Sequence, residues 1–299
     1  MDKYQNDLRK ELEELKKRAE GVFRRGGGGA SAPYPPRGRA SGRRGGRGAT
    51  DRPSGTLETL VPGEDCMFGN SVFYRVCTGA ETIWKDAGAV LGQYLETLAH
   101  PFPADDEGLA PLKVLRDIPP DETCYLDLET TGLGMTPLFL VGLMYTSGDR
   151  LVIDQLFARD YTEEPAVLGF TRDFLERFKL VVTFNGITFD MPFLGQRMAY
   201  TGIEFGFAGA HLDILPLARG LLRGRTPNNR LQTLERYLCG RKRVGDVPGS
   251  EIPGVYHEFV RTGDAGGLAA VFHHNRLDLL TMLQLATVFL SGRYRADDV

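Results

Sequence analysis

The chain has 299 residues, 42% of them apolar, which is enough to bury a core in one large domain or two small ones. No apolar run approaches the ~20 residues of a membrane helix, and the densely charged first twenty residues lack the apolar centre of a secretion signal; the expectation is a soluble, cytoplasmic protein with no membrane partner. The net charge of −3 hides a partition: residues 1–20 balance six basic against six acidic side chains, residues 21–53 hold eight Arg against one Asp, and the remaining body is therefore acidic, at −10.

Residues 1–25 place Leu8, Leu12 and Leu15 at helical spacing and predict a short amphipathic helix. Residues 26–55 are rich in Arg, Gly and Pro, bury too little to offset chain entropy, and predict a disordered linker. Such a segment serves either as a solubilising spacer or as a flexible electrostatic contact to nucleic acid. Residues 56–120 read as a small satellite segment. It holds a hairpin over 67–76, turning at Gly69-Asn70, a helix over 85–98 and a Pro-rich connector over 101–120.

The main domain is expected over residues 121–292, followed by a short tail at 293–299. It begins with a strand through Asp127, continues with strands over 138–145 and 151–157, then a helix over 164–178 and a short buried strand over 180–184. Helices over 231–238, 255–260 and 268–290 follow. Three strands, a helix, a strand and further helices make an α/β order that opens with a meander. Cys66, Cys77, Cys124 and Cys239 have no Cys-x-x-Cys spacing, so they read as buried thiols in a reducing compartment rather than as a zinc site.

Three acidic events stand out. Asp127 and Glu129 lie two apart on a strand, so they share a face about 7 Å apart at a rise of ~3.3 Å per residue, while Leu126 and Leu128 turn to the core. That spacing suits a pair of divalent ions, and two carboxylates on a core strand need a compensating cation; the alternative is a solvent-facing alternation. Asp190 follows Asn185 and Phe189 at a helix start near Pro192, where a plain N-cap is the competing reading. Asp213, after a further strand, is either a cap or a supporting anchor. Within the last, apolar helix, His274 and Asp278 are four apart and share a face, with His273 about 100° further round. Polar groups there are costly unless paired.

Together these motifs resemble the DEDD superfamily of 3′-to-5′ exonucleases: Asp127 and Glu129 on the first strand, Asn185 with Phe189-Asp190, and Asp278 on a C-terminal helix preceded by His273 or His274. The chain is most similar to YprB-type ribonuclease H-like proteins, through Phe139-Leu140-Val141-Gly142-Leu143, His211-Leu212-Asp213, Asp246-Val247-Pro248-Gly249, Arg261-Thr262-Gly263-Asp264 and His274-Asn275-Arg276-Leu277-Asp278. The resemblance spans residues 125–290. It implies a ribonuclease H-like fold, a mixed central sheet flanked by helices, to which composition adds the disordered Arg/Gly-rich N-terminal tail. It further implies hydrolysis of phosphodiester bonds in single-stranded RNA or DNA. Asp127, Glu129, Asp190 and Asp278 would hold two divalent ions, Mg²⁺ or Mn²⁺, and a histidine would take or orient a proton. The spacing of the histidine subclass selects His273 and that of the tyrosine subclass selects His274. Thr130, Thr131, Gly132 and Leu133 would line the terminal-nucleotide pocket, with Asn185 and Phe189 also near substrate. The alternative is an inactive nucleic-acid-binding adaptor that relies on the Arg/Gly tail, motivated by the lack of an obvious basic face on the acidic body.

Overall fold

The computed structural model describes residues 54–101 and 107–295; the helix expected over 1–25 and nearly all of the Arg/Gly-rich linker lie outside them. A helical turn, α1 (Leu57–Leu60), leads into strands β1 (Glu64–Phe68) and β2 (Ser71–Gly79), then α2 (Ala87–Ala99), a 3-10 segment (Glu107–Lys113) and α3 (Val114–Asp117). Strands β3 (Thr123–Thr130), β4 (Leu138–Ser147) and β5 (Arg150–Phe157) form the meander. Helix α4 (Glu164–Leu175) then leads to β6 (Leu180–Thr183), and α5 (Asp190–Tyr200) to β7 (Ala210–Asp213). Helices α6 (Ile214–Leu221), α7 (Leu231–Leu238), α8 (Ile252–Thr262) and α9 (Leu268–Leu290) complete the described chain.

Among the described residues the strands form one sheet in the order β1-β2-β5-β4-β3-β6-β7. Pairing is antiparallel from β1 to β3 and parallel from β3 through β6 to β7. This is the ribonuclease H-like mixed sheet that the resemblance implies. The hairpin expected as a separate satellite is part of it instead: β2 pairs with β5 from Tyr74 opposite Phe157 to Gly79 opposite Val152. Gly69 makes the tight turn between β1 and β2 with φ 58°, a conformation that an L side chain rarely adopts. The Pro-rich connector is also ordered where described. Leu109, Leu112 and Leu115 recur every three residues, the period of a 3-10 turn, and all three are fully buried.

Each face of the sheet is covered. Cys124, Leu126 and Leu128 of β3 pack with Val167, Leu168 and Leu194 from α4 and α5. On the other face Tyr125, Met144 and Ile153 meet α2 and α9, while Leu140 and Phe157 meet Tyr256 of α8 and Val271 of α9. Burial on both faces explains why β4 reads as one continuous apolar run rather than an alternation. Helix α9 is apolar around most of its circumference because it lies between the sheet and its neighbours. At its C-terminal side Tyr294, expected in a tail, is buried against Phe289 with ring centroids 5.7 Å apart. The polar run of α9 from His273 to Asp278 is thus an interruption, and it lies where the helix crosses β3.

Candidate active site

Alternation on β3 turns Asp127 and Glu129 to the α9 side of the sheet, opposite Gly142 and Leu140 of β4. The register shifts between Glu129 and Thr130, ending the regular ladder directly after the second carboxylate. The C-terminal ends of β3, β6 and β7 lie side by side because these strands are parallel, and such ends are where open α/β sheets place their ligands.

Asp190 is brought there by a tightly held loop after β6. Asn185 adopts φ 71°, the left-handed conformation that Asn tolerates best among residues with a side chain. Asp213, at the end of β7, accepts from the backbone amides of Asn185 at 2.8 Å, Ile187 at 3.1 Å and Leu215 at 3.0 Å, so one carboxylate both fixes this loop and caps α6. Its two competing sequence readings, cap and anchor, are both met. Gly186 is required at the next position, since a Cβ would stand 2.2 Å from Thr183 Oγ1. Asp190 itself opens α5 and is only 5% exposed.

Helix α9 supplies the rest. The buried His274 sets Nδ1 2.8 Å from Asp246 Oδ1 and Nε2 3.4 Å from Asp278 Oδ2. His273 is partly exposed and has no hydrogen-bond partner among the described residues. Asn275, fully buried, donates from Nδ2 to Asp127 Oδ2 at 2.8 Å. Its amide is oriented by Gln155, whose Nε2 donates to Asn275 Oδ1 at 2.8 Å and to the Phe272 carbonyl at 2.9 Å, while Arg276 donates to Gln155 Oε1 at 2.5 Å. Asn275 rests on Gly142, where a Cβ would come within 2.2 Å of its Oδ1.

The remaining partner of Asp278 arrives from the loop after α7. Arg243 spans three carboxylates, donating to Asp278 Oδ1 at 2.5 Å, to Glu235 Oε2 at 2.5 Å and to Asp246 Oδ2 at 3.2 Å. Glu235 is fully buried and also binds Arg241. Asp278 is therefore compensated and the other three carboxylates are not. Among the described residues no Arg, Lys or His forms an ion pair with Asp127, Glu129 or Asp190.

The ionisation of the site follows this partition. Burial, then the charges of Asp278, Glu129 and Asp190, hold the Asp127 carboxyl well above the usual range. Burial, against the pull of His274 and with the charges of Asp278, Asp190 and Asp246 added to it, pushes Glu129 up to about 8. Asp190 is pushed up to about 7, mainly by burial and secondarily by Asp213, against the pull of backbone amides. For Asp278, burial is outweighed by His274 and Arg243, so its carboxyl lies below the usual range. Burial also opposes charge on His274, yet Asp246 and Asp278 carry it up to about 11. His273, without such partners, is lowered by burial.

Divalent ions are hard acids that take carboxylate oxygens, and Asp127, Glu129 and Asp190 are three such donors without a basic partner among the described residues. Asp278 could complete the set on release from Arg243. The donor chemistry fits, although among the described residues no three acidic, His or Cys side chains stand converged around one point. Asn275 holds Asp127, and Arg243 and His274 hold Asp278.

The other residues expected near substrate divide. Leu133 is 88% exposed beyond the end of β3, and Gly132 accepts from Thr130 Oγ1 at 2.8 Å and Thr136 Oγ1 at 2.9 Å. Thr131 donates to the carbonyl of Pro137, the residue before β4. Asn185 lines an open cleft of about 490 Å³ that also contains Asp127 and Asp278. Phe189 is not among the residues lining it and packs instead against the core on the α4 and α5 side, its ring tilted against Phe193 with centroids 5.4 Å apart. Arg243, Gln155 and Asn275 are absent from the sequence-derived set. Asn275 sits inside the polar run of α9 and is findable as one more costly polar group there, whereas Arg243 carries no local signal.

Residues 124–290 match the RNase_H_2 family, described as RNase_H superfamily. The chain is 32% identical over 174 residues to the uncharacterized protein YprB of Bacillus subtilis (strain 168), an alignment covering 54% of this chain and 40% of that protein. The chain thus matches less than half the length of this relative. Among solved structures, the family B DNA polymerase from the hyperthermophilic archaeon Pyrobaculum calidifontis aligns with a TM-score of 0.44 at 16% identity, covering 60% of this chain and 28% of that one.

Proposed function

The chain belongs to the RNase_H_2 family of the RNase_H superfamily, and on that premise we propose that it is a metal-dependent 3′-to-5′ exonuclease acting on single-stranded RNA or DNA. The observation that carries this reading is the set of carboxylates from three elements at one sheet end, of which, among the described residues, only Asp278 has a basic partner. Asp127, Glu129, Asp190 and Asp278 would hold two divalent ions, Mg²⁺ or Mn²⁺. Bound there, such ions neutralise phosphate charge, lower the pKa of a water and stabilise a departing oxygen.

The side chains around them position and relay. Asn275 fixes one oxygen of Asp127 and leaves the other for a ligand. Asp213 holds the loop that delivers Asp190. Both ring nitrogens of His274 face carboxylates, so this residue orients Asp278 and has no lone pair free for a proton. Proton acceptance falls to His273, whose ring has no hydrogen-bond partner among the described residues. Leu133, exposed at the pocket expected for the terminal nucleotide, offers an apolar face to its base.

The test is degradation of 5′-labelled single-stranded RNA and DNA with Mn²⁺, Mg²⁺ or chelator, comparing wild type with Asp127→Ala. The expected result is a metal-dependent ladder shortening from the 3′ end and absent in the variant. Unchanged activity in Asp127→Ala would remove this site from consideration. A second reading, an inactive nucleic-acid-binding adaptor, draws on Arg243, which already neutralises Asp278 and offers an alternative to a bound ion there. Calorimetric titration with Mn²⁺ separates the two: no ion uptake together with no cleavage favours the adaptor.

A further inference from the structure

The body is acidic, yet residues 214–243 carry eight basic side chains and one acidic one, Glu235. Two of the arginines, Arg219 and Arg230, line the cleft whose floor includes Asp127 and Asp278. Both are exposed, and neither forms an ion pair among the described residues. Arg219 lies in the last turn of α6, where a cation also suits the helix dipole. Arg230 has no such internal reason, because it immediately precedes α7, at the helix end that disfavours positive charge. Between them on the same wall, Asn229 buries a carboxamide oxygen that meets no donor among the described residues. A nucleotide brings such donors in its sugar hydroxyl and base amino groups.

We propose that Arg219 and Arg230 form a clamp for backbone phosphates of the strand whose end enters the carboxylate centre. The clamp rests on the nuclease reading and names the surface through which that site receives its substrate. Asp278 on the floor already pairs with Arg243 and His274, so the two guanidiniums on the wall, unpaired among the described residues, set the field along the approach of a phosphodiester chain. Arginine suits the task because its planar fork meets two phosphate oxygens at once. The Asp127 end of the cleft sets the polarity: the clamped phosphates lie on the 5′ side of the bond to be cut.

Affinity of the full chain for a fluorescein-labelled 20-mer of oligothymidylate and of oligouridylate, read by anisotropy between 50 and 200 mM NaCl in chelator, tests this without turnover. Each phosphate that a protein neutralises on a single strand adds ~0.7 to the steepness of log affinity against log salt, so Arg219→Ala with Arg230→Ala should reduce that slope by about 1.4. Replacing both by Lys should preserve the slope. Arg150→Ala, at the opposite end of the sheet where β5 begins and away from the site, should leave it at the wild-type value. If the double variant does not fold, either single variant carries the expectation of ~0.7. A double or single variant with the wild-type slope overturns the clamp, as does a wild type whose binding ignores salt. Cleavage assayed in parallel keeps the two readings apart: altered slopes with no metal-dependent shortening leave the clamp and remove the exonuclease, and unaltered slopes with shortening do the reverse.

Discussion

Replacing Gly142 by Ala should uncouple the polar chain beneath Asp127. The added methyl would lie 2.2 Å from Asn275 Oδ1, 2.6 Å from Nδ2 and 2.7 Å from Cγ, all far inside van der Waals distance. Asn275 is fully buried and tied to Gln155 and Asp127, so it has no empty rotamer to enter. Overpacking a core costs about 1–3 kcal/mol. Losing the bond to the buried Asp127 carboxyl, whose protonated form is favoured, adds about 0.5–1.5 kcal/mol. The expected total is therefore on the order of 3 kcal/mol, a large part of the ~5–15 kcal/mol that typically holds a domain. Urea denaturation of wild type, Gly142→Ala, Asn275→Ala and the double variant measures it. In the Asn275→Ala background the methyl has room, so Gly142→Ala should cost less than about 1 kcal/mol, giving a coupling energy of the size seen for residues that touch. A Gly142→Ala cost below about 0.5 kcal/mol, typical of surface changes, or an equal cost in both backgrounds, would refute the reasoning.

Other expectations follow from the same centre. Glu129 and Asp190 are raised to about 8 and about 7, so the folded, metal-free chain retains protons that the unfolded chain has released above about pH 4.3. Its stability should fall as pH rises from about 5 to 8, less so in Glu129→Gln, and stabilisation by Mn²⁺ should grow over that window; a wild-type minus variant Tm difference that is flat in chelator would contradict this. Asp213→Ala removes the acceptor of three backbone amides and should cost on the order of 3 kcal/mol by urea melting, since a bond to a charged group contributes about 1.5–3 kcal/mol; a loss under about 1 kcal/mol would show that the loop holds itself. His274→Gln should weaken Mn²⁺ binding by loosening Asp278, while His273→Gln should leave affinity intact and lower the turnover rate; the reverse pattern by titration and single-turnover kinetics would exchange their roles.

Much of this centre is legible in the chain because it depends on short periodicities. A two-residue alternation places Asp127 with Glu129, and a four-residue helical spacing places His274 with Asp278. The continuous apolar run at Leu138 to Tyr145 marks a strand covered on both faces. What is not legible is pairing over distance. Arg243 reaches Asp278 across 35 positions from an irregular loop, and an arginine in such a loop has the composition of a solvated surface. Gln155 reads as an ordinary polar position in a strand until Asn275 and Arg276 are placed against it. Leu109, Leu112 and Leu115 are obscured by Pro111 and by a three-residue period that belongs to neither an α-helix nor a strand. The hairpin's two strands have a local signature, but the choice of β5 as their partner has none.

That choice has a bearing on aggregation. Strand β5 reads Arg-Leu-Val-Ile-Asp-Gln-Leu-Phe and is buried along nearly all its length, so as an open margin it would be a long, apolar template for another chain. With β2 hydrogen-bonded along it, the margin passes to β1, five residues long, largely exposed and opening with Glu64 and Asp65. A short acidic strand resists edge-to-edge joining. The residues before the family-matched region thus act as a selvedge, finishing a sheet that residues 124–290 alone would leave to fray into its neighbours.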